Sequence, residues 1–157
     1  MTYLFAKWLH IIFSTLIFGT GIGSAFYLLV ASLRRDVHVV AGVARIVVIA
    51  DWLFTATTAV LQPLTGFWMV HIAGYPITTP WLFWSIVLYV IAIACWIPVV
   101  RIQIRMRDLA VQASRVNNDL PSEYWRHFRM WVTLGVPAFF AFMAIFYLMV
   151  AKPPEVF

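Results

Sequence analysis

The chain has 157 residues, of which 64% are hydrophobic and only 11% are charged. A water-soluble domain carries about 25% charged residues, so this composition, with a mean hydropathy of +0.91, excludes an ordinary soluble domain. The formal charge of +5 would suit nucleic acid, but the arginines flank apolar segments, where membrane topology signals lie. Composition therefore predicts an all-α membrane protein that contacts the lipid bilayer and does not bind nucleic acid.

Four apolar segments follow one another along the chain, and each supplies the ~20 residues that cross a bilayer as a helix. A barrel would need many shorter, alternating strands. The sequence predicts a single transmembrane domain over residues 1–157, folded as a four-helix transmembrane bundle with helices at about residues 4–33, 39–74, 80–107 and 124–151. Pro63 is expected to kink the second helix unless neighbouring helices fill the gap.

The arginines predict the orientation of the bundle. The second connection, "GYPITTP", carries no charge, whereas every arginine of the chain lies in the first or third connection or in the helix ends beside them. By the positive-inside rule, the first and third connections are cytoplasmic and both termini are outside, on the periplasmic face of a bacterial inner membrane.

Two of the four histidines are predicted to lie inside the bilayer at similar depth. His10 lies two turns inside the outer end of helix one, and His71 lies one turn inside the outer end of helix two. Ionisable groups inside a membrane usually face the bundle interior and have a partner. The pair is therefore predicted to be the axial ligands of a haem b iron. His38 and His127 are predicted to be interfacial residues on the cytoplasmic side.

Residues around His10 fit a flat macrocycle. Ser14 and Gly21 continue its helix face, and Lys7 lies on that face closer to water, where a haem propionate needs a cation. Simpler interpretations stay open at this point. The glycines of "GTGIG" could serve helix packing, Lys7 could extend to the interface, and the two histidines could be unrelated.

Arg45 and Asp51 form a second candidate site near the cytoplasmic interface of helix two. Their spacing of six residues puts them on different faces. Asp51 is expected to pair with Arg101 or Arg105 from the end of helix three, as an ion pair that anchors helix depth. The alternative is a proton or quinone site on the inner side.

Segments throughout the chain resemble a family of small bacterial four-helix proteins, the predicted integral membrane proteins of unknown function. These segments are "YLFAKWLHII", "GTGIGSAFY", "ADWLF", "QPLTGFWMVHIAGYP" and "IQIRMRDLA". More distantly, Lys7-x-x-His10 is similar to the opening of HemJ-type protoporphyrinogen oxidases, in which this histidine is the proposed haem ligand. The lysine that this family carries around its third helix is absent from "PWLFWSIVLYVIAIACWIPVV". The likeness therefore implies haem ligation by His10 more strongly than porphyrinogen oxidation.

Three functional hypotheses follow. The first is a b-type haem protein with a redox or electron-transfer role, in which the cofactor carries the chemistry. The second is a HemJ-like oxidase of a porphyrinogen or a quinone-linked substrate. The third is a haem-free transporter or accessory membrane subunit. A quinone or a redox protein is the expected partner, and a homo-oligomer and a catalytic role are left open.

Overall fold

The computed structural model describes residues 1–153, which fold into long helices joined by short connections. The helices are α1 (Thr2–Arg34), α2 (Val37–Ala50), a π-helical segment (Asp51–Ala56), α3 (Thr57–Ala73), α4 (Pro80–Arg115) and α5 (Ser122–Ala151). The α2 helix, the π-helical segment and α3 follow one another without a break. The described chain thus has four helical spans that are long and apolar enough to cross a membrane, which confirms the predicted fold class.

The helix boundaries differ from the predicted ones mainly in α4, which continues to Arg115 instead of ending near residue 107. The additional turns bury Leu109, Ala110 and Ala113 against neighbouring helices. Packing therefore continues the helix where the loss of hydropathy suggested an end. The last four residues of the predicted domain, 154–157, lie outside the described residues.

Four antiparallel spans give the bundle two chemically different ends. The arginine end holds the connections 35–36 and 116–121, with Asp36 capping α2 by accepting from the backbone N–H groups of His38 and Val39. The terminal end holds the start of α1, the connection 74–79 and the end of α5. There the Lys152 ammonium lies 5.3 Å from the centre of the Trp81 ring. Which end faces the periplasm stays a prediction.

The tightest packing lies toward the arginine end, where all four spans contribute buried side chains. Met106 and Tyr124 are fully buried there, and the Tyr124 hydroxyl lies 2.6 Å from Ser32 Oγ. Because Ser32 Oγ donates to the Leu28 carbonyl, Tyr124 is the donor of this second bond. We call the buried apolar cluster at this end the arginine-end core. All four spans contribute to it, with Leu28, Val47, Met106 and Tyr124 among its members.

The membrane-spanning part of the bundle is looser. The α1 helix packs against α3 and the π-helical segment, while α4 packs against α5. Side chains connect the two pairs: Phe18 of α1 meets Phe139, Phe142 and Phe146 of α5, with ring centres 4.9 to 6.2 Å apart. A cavity remains between the two helix pairs, and a few polar side chains line it.

Candidate functional site: a histidine and a cavity inside the bundle

His10 is held against α3 by two hydrogen bonds. Its Nδ1 lies 3.0 Å from Thr65 Oγ1, and its Nε2 lies 3.1 Å from the Gln62 amide nitrogen. The Thr65 hydroxyl already donates to backbone carbonyls of its own helix, so it accepts from His10. The network therefore assigns the proton of the neutral imidazole to Nδ1, and Nε2 accepts from Gln62.

Gly66 makes this close approach of His10 possible. A Cβ atom added at Gly66 would lie 3.1 Å from His10 Cε1. The glycines of "GTGIG" have no comparable role, because a Cβ at Gly19, Gly21 or Gly23 would meet nothing within 4 Å. No neighbouring helix therefore packs closely on these glycines, and the glycine that contacts His10 lies on α3.

His71 lies on a different face of α3 from the residues that hold His10. It is nine residues beyond Gln62, which is about two and a half helical turns, and it lies on the outer surface of the bundle. The structure therefore does not bring His10 and His71 together. A haem ligated by both would require a different rotation of α3.

The other residues predicted around the haem are dispersed. Lys7 lies on the outer surface, and Ser14 Oγ donates to the Ile11 carbonyl of its own helix at 2.8 Å. Gly21 lies on the wall of the central cavity, three turns from His10. These residues do not surround one common site.

His10 alone keeps the features of an iron ligand. Its Nε2 carries the lone pair, and its Nδ1–H is oriented by a protein acceptor, as in ligating histidines generally. To coordinate a metal, Nε2 would have to exchange the Gln62 amide for it. Among the described residues no group of three or more His, Cys, Asp or Glu side chains could hold a metal ion. Haem b at His10 therefore stays a prediction.

Asp51 lies at the start of the π-helical segment and is only 4% exposed. Its carboxylate accepts from Thr55 Oγ1 at 3.1 Å, and the neutral Gln103 side chain lies in the wall of the same cavity. The expected ion pair with Arg101 or Arg105 is wrong, because Asp51 forms no ion pair among the described residues and Arg105 binds Glu123 at 2.9 Å. A buried carboxyl held by neutral groups is unusual in a membrane bundle and is typical of functional sites.

Arg45 does not join this site. It lies on the outer surface of α2, two turns toward the arginine end, whereas Asp51 points inward. The π-helical register is the local cause of the arrangement around Asp51, because π-bulges change the direction in which successive side chains point and occur often at functional sites. Asp51 and Thr55 are the two buried residues of this segment.

Asp51 lies at the polar end of a cavity of about 430 Å³ between the two helix pairs. Its walls are aromatic and aliphatic side chains of α1, α4 and α5, among them Phe18, Trp131 and Phe142. Two wall residues, Phe26 and Phe140, lie on the outer surface, so the cavity reaches the lipid between α1 and α5. No lysine, arginine or histidine of the described chain lines it.

Two buried polar atoms of residues that line the same cavity as Asp51 have no hydrogen-bond partner among the described residues. They are Trp96 Nε1, a donor, and Gln103 Oε1, an acceptor. Both residues line the cavity, and their spacing of seven puts them on the same face of α4. Unpaired buried polar groups cost about 1–3 kcal/mol each, so a donor and an acceptor unpaired in one cavity mark a candidate site for a ligand or an ordered water.

The sequence alone did not single out Gln62, Thr65, Trp96 or Gln103. For the α3 residues a signal was present, since polar residues at positions 51, 55, 58, 62 and 65 repeat at alternating steps of four and three in an otherwise apolar helix. For Trp96 there was none, because a tryptophan within an apolar run is ordinary.

Comparison with known proteins places the chain in a family. No curated protein and no solved structure matches it. The likeness to HemJ-type oxidases thus stays a prediction. A family model matches residues 4–153, nearly the whole chain. The chain belongs to the family of predicted integral membrane proteins designated DUF2269.

Proposed function

We propose that this protein binds a neutral, membrane-dissolved amphiphile of the quinone class in its central cavity. The observation that carries the proposal is the pair of unpartnered atoms, Trp96 Nε1 and Gln103 Oε1, in a mainly apolar cavity that Asp51 also lines. A quinone carbonyl accepts from the indole N–H, and a quinol hydroxyl donates to the amide or carboxylate oxygen. The bacterial inner membrane is the proposed location, since such ligands dissolve there.

The absence of cations in the cavity wall favours a neutral head over a phospholipid. A phosphate needs arginine, lysine or backbone donors, and no lysine or arginine of the described chain lines this cavity. Its aromatic walls, with Phe18 and Trp131, suit a planar ring, which packs well against aromatic side chains. The volume lies within the range of about 300–1,000 Å³ usual for small-molecule sites.

The depth of the polar end suits an amphiphile. Gln103 lies two residues beyond Arg101, the first charged residue of α4, so the polar groups are near the level where arginines begin. The apolar walls extend from there toward the middle of the bilayer. A head at Gln103 and Asp51 would leave its tail free to pass between α1 and α5 into lipid, near Phe26 and Phe140.

The test is saturable quenching of tryptophan fluorescence by a short-chain benzoquinone added to the purified protein in detergent. Trp96 and Trp131 line the cavity and report on occupancy. Gln103→Leu should weaken binding about two- to tenfold, the value of one neutral hydrogen bond. Gln112→Leu, on the outer surface of the same helix, is the matched control and should bind as the wild type does. Quenching that never saturates, or an equal loss in both variants, would contradict the proposal.

The haem b function predicted from the sequence is a second candidate, supported by the geometry of His10 alone. A haem at His10 would provide a one-electron partner for a quinone, in keeping with the predicted redox or electron-transfer role. Catalytic turnover, a redox protein partner and a homo-oligomer are not needed for the binding proposal and are separate hypotheses.

A further inference from the structure

Helix α3 and the π-helical segment carry a line of inward-facing polar residues that ligand binding does not explain. The line runs from Asp51 through Thr55, Thr58 and Gln62 to Thr65, and we call it the polar stripe. Four of its five members are at most 7% exposed, and Gln62 is partly buried. From Asp51 to Thr65 the stripe spans about 21 Å of helix, most of the hydrocarbon thickness.

The positions between the stripe residues confirm that it is one-sided. Trp52 and Leu53 lie on the outer surface, and so do Val60 and Leu61. The polar face therefore points into the bundle, where α1 covers it. His10 adds an imidazole to the stripe at the level of Gln62 and Thr65.

The stripe contains groups that can pass a proton as well as groups that only hold structure. The hydroxyls of Thr58 and Thr65 donate to carbonyls of their own helix and can accept a hydrogen bond, as Thr65 does from His10. His10 accepts on Nε2 and donates from Nδ1, so it can take up a proton on one atom and release one from the other. Gln62 Oε1 is buried without a partner among the described residues and faces the same interior.

The two ends of the stripe differ in their access to water. Beyond Asp51 the arginine-end core closes the interior with apolar side chains such as Val47, Met106 and Leu109. At the other end His10 lies only eight residues, or about 12 Å, from the start of α1 at Thr2. The route that the arginine-end core does not close therefore leads toward the terminal end.

We propose that the polar stripe and His10 line a narrow aqueous half-channel through which protons from the terminal end reach the Asp51 carboxyl. Each step moves one proton between neighbouring oxygen or nitrogen atoms through water, so no electron transfer or further reactant is involved. Asp51 ends the path, because the arginine-end core blocks continuation to the other side. The path stands independently of the ligand, although it would supply protons next to the cavity.

The experiment measures water access along the stripe with silver ion, a small thiol-reactive cation that crosses lipid poorly. Cys95 is first replaced by alanine, which removes the single native cysteine. Thr58→Cys is then made in this background and exposed to silver ion from either side of sealed membrane vesicles. Protection from a fluorescent maleimide after denaturation reports the reaction. The side of each end is located with Ile77→Cys at the terminal end and Asn118→Cys at the arginine end.

We expect Thr58→Cys to react from the side that also labels Ile77→Cys, and not from the other side. Thr57→Cys is the matched control, because this neighbouring position lies on the outer surface, faces lipid and should react from neither side. Thr65→Cys provides a second stripe position if the first variant does not fold, as judged by size-exclusion chromatography. Failure of both stripe cysteines to react, reaction only from the Asn118 side, or equal reaction of Thr57→Cys would overturn the proposal.

Discussion

The Tyr89 hydroxyl donates a hydrogen bond of 2.6 Å to the backbone carbonyl of Ala59, on the neighbouring span. Ala59 lies four residues before Pro63, so its carbonyl is the one that Pro63 cannot satisfy, because proline has no N–H. In a bilayer such a carbonyl has no water to bind and must be satisfied by protein. Tyr89 thus allows a proline inside a membrane-spanning helix and ties α4 to α3.

Tyr89→Phe should destabilise the bundle by about 1 kcal/mol, because it leaves the Ala59 carbonyl unpaired. In a Pro63→Ala background the same change should cost much less, since the substituted alanine supplies the missing backbone N–H. Reversible unfolding in mixed detergent micelles measures the four free energies of this double-mutant cycle. Equal costs of Tyr89→Phe in both backgrounds would show that the hydroxyl does not serve the proline site.

Gly66→Ala tests how tightly His10 is held. The added methyl would lie 3.1 Å from His10 Cε1, so the imidazole must shift and weaken its bonds to Gln62 and Thr65. Gly42→Ala is the control, since its Cβ meets nothing within 4 Å and the helix gains about 0.5–1 kcal/mol. We expect unfolding free energy to fall in the first variant and to rise in the second. A gain in both would mean that His10 moves aside without cost.

The sequence predicted the membrane fold well because apolar length alone specifies a spanning helix. It located His10 correctly as an inward-facing residue, since an ionisable group near a helix end inside lipid needs a partner. It could not identify that partner as Gln62 and Thr65, because hydropathy gives no rotation of α3 relative to α1. The same limit applies to His71. Residue counts predict its depth in the membrane, but they do not predict the face of α3 on which it lies. Likewise, charge complementarity suggested an arginine for Asp51, whereas the fold brings Gln103 to it.

Haem ligation by His10 predicts a spectral result that distinguishes it from the histidine pair. If His10 Nε2 binds haem iron, a reduced-minus-oxidised spectrum of the purified protein shows a b-type band, and His10→Ala removes it. Because His71 lies on another face of α3, His71→Ala should leave the band unchanged. Loss of the band in both variants would restore the pair and require a rotated α3. A haem-free wild type would exclude the cofactor.

Asp51→Asn should leave the stability of the bundle unchanged or raise it. Asparagine has nearly the same shape and can still accept from Thr55, and Asp51 has no cation that would lose its partner among the residues the structure describes. Burying a carboxylate without a counter-charge costs folding free energy, and Asp51→Asn removes that charge. Residues kept for function often lower stability in this way. Reversible unfolding in micelles measures the difference, with Glu123→Gln as a control that breaks the ion pair to Arg105 on the surface. A loss of more than about 1 kcal/mol in Asp51→Asn would assign the carboxyl a structural role and remove the main reason for placing chemistry at the polar end of the cavity.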